Sequence, residues 1–141
     1  MGHSVVYGKS LNFALRIVKA YQYLNDEKGE RILSKQLLRS GTAIGAMVCE
    51  AEFAESASDF IHKLHIALKE ANETAYWLLL LYKSDYIDAS SYESIDQDAK
   101  ELIKTLGMHH KDQQGKQPEE KAGREDITFP PTSIFNLRLE F

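Results

Sequence analysis

Apolar residues recur every three or four positions through the first hundred residues, in four runs separated by short polar breaks. In the first run, residues 10–25, Phe13, Ile17, Ala20 or Tyr21, and Leu24 fall on one helical face, with Ser10 placed to cap it. The break that follows, 25–29, is polar and closes on Gly29, which suits a helix end. The second run, 31–53, has the stripe Leu33, Leu37, Ile44, Met47 or Val48, and Ala51. The third, 58–86, has Phe60, Leu64, Ala67 or Leu68, Ala71, Ala75 and Leu78, with Ser58 as cap and Asp59 favourable in the first turn. The fourth, 91–106, carries Tyr92, Ile95, Ala99, Leu102, Ile103 and Leu106; Ser90 and Glu93 have capping-box spacing, and Gly107 ends the run. Nothing in residues 1–107 alternates as a strand does, and the connections are short. The pattern predicts an all-α, up-down antiparallel four-helix bundle.

After Gly107 the pattern changes. Residues 108–126 read as a polar linker, since 111–126 hold one apolar side chain, Ala122. Residues 127–141 are apolar again. Pro130 and Pro131 exclude helix, and Phe135, Leu137, Leu139 and Phe141 alternate at the strand period. Such an extended tail either adds to the sheet edge of another protein or docks on a neighbouring copy of its own chain.

Two stretches depart from simple amphipathicity. SKQLLRSGTAIGAMVCEAE, residues 34–52, gives up side-chain volume at Gly41, Ala43, Gly45 and Ala46. A glycine inside a helix costs roughly 1 kcal/mol against alanine, so Gly41 and Gly45 call for a compensating close approach of another helix, within the chain or from a second copy. YWLLLLY, residues 76–82, is apolar all round, more than one side of a bundle helix buries. Together these predict a homo-oligomer with Gly41, Gly45, Tyr76, Trp77, Leu80 and Leu81 at its interface.

The chain has 141 residues, 43% of them apolar, which is one domain with enough material for a core. The net charge of −4 makes no global case for nucleic acid, but its distribution is uneven. Residues 1–40 hold seven basic and three acidic side chains, and residues 41–107 hold five and twelve. Arg31, Lys35 and Arg39 repeat every fourth position; Lys9 and Arg16 share a face of the first helix, with Lys19 near it. Rows of this kind track phosphates, although Glu27 and Arg31 are also spaced as an ordinary salt-bridge pair. Cys49 is the only cysteine, so a disulfide within the chain is excluded, which fits a cytoplasmic protein; no run approaches the ~20 apolar residues of a membrane span. Candidate chemistry is thin. His62 and His65 follow Asp59, but the second carboxylate–histidine pair of a di-iron bundle is missing. Cys49 has no nucleophile setting, and no glycine-rich phosphate loop occurs. No catalytic residue, metal or cofactor is expected.

LSKQLLRSGTAIGA, then EAEFAES, then DFIHKLHIALKEANETAYWLLLLY, resembles the four-helix bundle proteins described as 23S rRNA intervening-sequence proteins, to which the accessory proteins of diversity-generating retroelements are similar. The resemblance covers roughly residues 8–107 and includes Gln36-Leu37-x-Arg39-Ser40 and Lys69-Glu70-Ala71-Asn72-Glu73-Thr74. It implies a homopentameric barrel of bundles, no enzymatic activity and, for the accessory proteins, a basic nucleic-acid-binding surface and a reverse transcriptase as partner. Where the family often reads SIGANIREAE, this chain has Ala43, Met47 and Cys49, so helix two lacks one basic residue.

The expectation is a non-enzymatic, homo-oligomeric bundle that binds RNA or DNA through Lys9, Arg16, Lys19, Arg31, Lys35 and Arg39. The alternative is a protein-interaction scaffold without nucleic acid. The sequence names neither the nucleic acid nor the partner.

Overall fold

The computed structural model describes residues 5–114; the remainder of the predicted linker and the tail lie outside the described residues. Four helices follow one another: α1 (Val5–Asp26), α2 (Leu33–Glu52), α3 (Ala57–Lys83) and α4 (Ala89–Gln114). Each packs on its two neighbours, with α1 closing on α4. The neighbours run antiparallel. Lys9 of α1 lies against Glu101 of α4, and Arg16, further along α1, lies against Asp98, further back on α4.

The core is built mostly from the predicted stripes, joined by Leu81, which the sequence reading places at a subunit interface. Phe13, Ile17, Leu24, Leu37, Ile44, Leu78, Leu81, Leu102 and Leu106 are fully buried. Burying one Leu or Ile side chain contributes roughly 1.5–3 kcal/mol, so these positions hold the bundle together. Two hydroxyls are buried among them and satisfied: Thr74 of α3 and Ser40 of α2 stand 2.9 Å apart, oxygen to oxygen.

The helix ends depart from the sequence reading at several places. Ser10 does not cap α1; it lies inside the helix, five residues past Val5, and its buried hydroxyl donates to the Tyr7 carbonyl. The chain before α2 is held by Glu30, whose carboxylate accepts from the N–H groups of Ile32 (3.0 Å), Leu33 (2.9 Å) and Ser34 (2.7 Å). Helix α2 therefore starts at Leu33, leaving Arg31 in the turn. Ser56, not Ser58, caps α3, accepting from the Asp59 N–H at 3.0 Å. Asp88 takes the same role for α4, accepting from the Ser91 N–H at 2.7 Å, and α4 runs straight through Gly107 to Gln114. An open helix surface imposes no stop at a glycine; the cost is propensity alone.

Two left-handed residues make the turns. Gly29 (φ 63°) follows α1, and the N–H of Glu30 reaches back to the Leu24 carbonyl at 2.9 Å, which satisfies an orphan acceptor. Asp85 (φ 64°) does the same after α3, with the Tyr86 N–H on the Leu81 carbonyl at 3.0 Å. It ends that helix at Lys83, three residues short of the periodic pattern.

Candidate nucleic-acid interface

The six basic residues divide into two groups. Lys9, Arg16 and Arg39 are engaged by carboxylates of adjacent helices. Lys9 Nζ lies 2.6 Å from Glu101. Arg16 donates to Asp98 at 2.6 Å and to both the carbonyl and the hydroxyl of Ser94. Arg39 leaves the Arg31–Lys35 line and turns towards α3, where it donates to Glu73 at 2.6 Å and lies 3.6 Å from Glu70. The hydrogen bond to Glu73 holds the Arg39 guanidinium above its ordinary value. Glu73 is pulled down, first by that same bond and also by its acceptance from the Trp77 indole N–H. Burial pushes Glu70 up, with Arg39 opposing and the Glu73 charge adding to the rise.

Lys19, Arg31 and Lys35 have no ion-pair partner among the described residues, and all three are exposed. They belong to one end of the bundle, where the turn between α1 and α2 lies. Arg31 sits in that turn, Lys35 in the first turn of α2, and Lys19 two turns before the end of α1.

Several recesses flank α1. Between α1 and the start of α4 is a recess of about 430 Å³. Ala20 of α1 and Ser91 of α4 are among the residues that line it. Ile87 and Ile95 give it an apolar floor, and Lys19, Tyr23 and Asp88 form its rim. Between α1 and α2, a smaller groove of about 140 Å³ is lined by residues including Leu11, Ala14, Thr42, Gly45, Ala46 and Cys49. Leu11 in this groove is about half exposed, at 49%, and so is Leu15 one turn further along α1, at 55%.

The residues assigned to a subunit interface are dispersed. Gly41 is buried by its own chain: a Cβ there would stand 2.8 Å from two branch carbons of Ile17. Gly45 approaches the Ser10 backbone and half lines the α1–α2 groove. Leu81 is fully buried, Trp77 and Leu80 half-buried, and Tyr76 exposed, its ring edge-on to Trp77 at 5.1 Å. The all-round apolar run is thus partly absorbed inside the bundle. Tyr82, at its end, stacks on Tyr92 of α4 at 4.4 Å.

Asp59 and His62 sit on the first two turns of α3, and no group of three or more His, Cys, Asp or Glu that would hold a metal occurs among the described residues. None of the described helices is long and apolar enough to cross a membrane. Tyr23, Asp88 and Ser91 were not singled out by the sequence. The spacing of Lys19 and Tyr23, one helical turn apart, was the only local signal; Asp88 and Ser91 reach the same recess through the fold.

The crystal structure of a protein of unknown function from the S23 ribosomal protein family of Bacteroides thetaiotaomicron VPI-5482 shares the fold. Its TM-score is 0.75 and its sequence is 56% identical, over 76% of this chain and 99% of that one. No protein of curated function matches. Residues 3–108, the whole of the four-helix region but its final turns, match the 23S rRNA-intervening sequence protein family, and the chain belongs to that family.

Proposed function

We propose that the protein is a non-enzymatic, homo-oligomeric bundle that binds RNA or DNA through Lys19, Arg31 and Lys35. The observation that carries this reading is the division of the basic residues: these three have no carboxylate partner among the described residues, whereas Lys9, Arg16 and Arg39 do. A cation already paired gains little by exchanging a carboxylate for a phosphate, while an unpaired one releases counterions from the nucleic acid. One copy offers few contacts; the pentameric barrel implied by the family would repeat them around a ring. A cytoplasmic location and a reverse transcriptase as partner belong to the same reading.

The α1–α2 groove favours a second reading. The half-exposed Leu11, beside small residues of α2, and Leu15 one turn further along α1 offer an apolar face suited to another protein surface, a second copy or a partner. In that scaffold, nucleic acid has no part.

Fluorescence anisotropy with structured RNA, duplex DNA and an RNA–DNA hybrid at two salt concentrations separates the readings. Binding that weakens steeply with salt, is lost in Lys19→Ala/Arg31→Ala/Lys35→Ala and is largely kept in Lys9→Ala/Arg39→Ala supports the first. No binding at low salt sinks it. Light scattering on wild type and Leu11→Glu/Leu15→Glu reads the oligomer: an unchanged mass removes the α1–α2 face as a subunit contact.

A further inference from the structure

We infer that the recess between α1 and α4 is a pocket for one unpaired guanine base of a single-stranded nucleic acid; this rests on the nucleic-acid reading above. Its volume, about 430 Å³, is in the range of small-ligand sites, and its chemistry is divided as a nucleotide's is. The floor, including Ile87 and Ile95, is apolar and suits the plane of a base. Tyr23 lines the recess, is 43% exposed, and has no ring partner among the described residues, so no other aromatic competes for its ring. Lys19, one turn back on the same helix face, has no carboxylate partner and suits the phosphate of the same nucleotide.

Specificity comes from Asp88. Its Oδ1 accepts from the Ser91 N–H, which fixes the carboxylate at the start of α4. That bond and the neighbouring hydroxyl hold Asp88 below the ordinary carboxylate range, so it is an acceptor at neutral pH. Guanine is the base whose pairing edge sets two donors side by side, N1–H and N2–H. A carboxylate accepts both, as acidic side chains elsewhere accept from exocyclic amines of bases. Arg16 is held by Asp98 and Ser94 at the wall and is not needed for the ligand. A base can enter only when unpaired, so the pocket selects single strands, loops or bulges over duplexes.

The test uses the full chain and a uridine-rich single-stranded RNA with one central guanosine. Two companions carry inosine, which lacks the N2 amine, or an abasic residue at that position. The expected result is affinity that falls about tenfold for the abasic strand, the scale of one base stacked on an aromatic ring, and by a smaller factor for inosine. Tyr23→Ala should erase the difference between guanosine and abasic strands. Asp88→Asn should erase the difference between guanosine and inosine while keeping α4 capped, since asparagine caps as well as aspartate. Equal, salt-sensitive binding of all three strands overturns the pocket and leaves the nucleic-acid reading standing. A base preference that survives both substitutions also overturns it. Absence of binding at low salt overturns both.

Discussion

A methyl group at position 41 would meet the branch carbons of Ile17 at 2.8 Å, whereas at position 107 it would meet nothing within 4 Å. Both glycines are helical, so both gain roughly 1 kcal/mol of propensity on replacement by alanine. Only at Gly41 does overpacking oppose the gain, and it costs typically 1–3 kcal/mol because Ile17 is fully buried and its branch point cannot swing aside. Gly41→Ala is therefore expected to lower stability by about 1 kcal/mol and Gly107→Ala to raise it by about 0.5–1 kcal/mol. Urea unfolding of the two variants beside wild type checks both signs. The sequence posed the Gly41 question and could not answer it, because the two candidate partners, an internal helix and a second copy, demand the same missing Cβ. Ile17 decides it for this glycine.

At the scale of the element, Glu30 governs the entry to α2. Burial opposes its ionisation, but the N–H groups of Leu33, Ser34 and Ile32 and the Ser34 hydroxyl outweigh it and hold the carboxyl below its ordinary value. A lowered folded-state value means stability that is fully present above the unfolded value, ~4.3, and is lost as pH falls through the folded one. Glu30→Gln should cost about 1 kcal/mol at pH 7, as other lost caps do, and its deficit should shrink on acidification. Thermal melts at pH 7 and pH 3 measure that convergence; a deficit that stays constant would mean the charge at Glu30 is irrelevant. The existence and order of all four helices were legible because apolar spacing reports which face is buried. Their ends were not. Ser10, Ser58 and Gly107 had the right residue types for boundaries, but Ser56, Asp88 and Asp85 hold the actual ones. Capping depends on which side chain finds an open N–H, and several neighbours of similar chemistry compete for each end.

For the whole molecule, the candidate surface was half legible. Every basic residue could be read from the sequence, and the spacing of Arg31, Lys35 and Arg39 suggested a single line. Their acidic partners could not be read, since Glu101, Asp98 and Glu73 lie 92, 82 and 34 residues away from the cations they meet. The same holds for the α1–α4 recess, which exists only because the last helix returns to the first.

The bridges along that seam have a further consequence. Glu101 and Asp98 are anions tethered beside Lys9 and Arg16, and a tethered group acts at a high effective concentration. They behave as resident decoys: any phosphate approaching this side of the molecule must first displace a rival that never diffuses away. On the proposed nucleic-acid reading, these decoys would confine a polyanion to the other cations and set a threshold that only a long or multiply charged strand would cross. Silencing them with Glu101→Gln and Asp98→Asn should strengthen duplex DNA binding severalfold and steepen its salt dependence by one to two further phosphate contacts, about −0.9 in the log–log slope for each. An unchanged slope would mean that Lys9 and Arg16 stay out of reach of the strand even when their partners are gone.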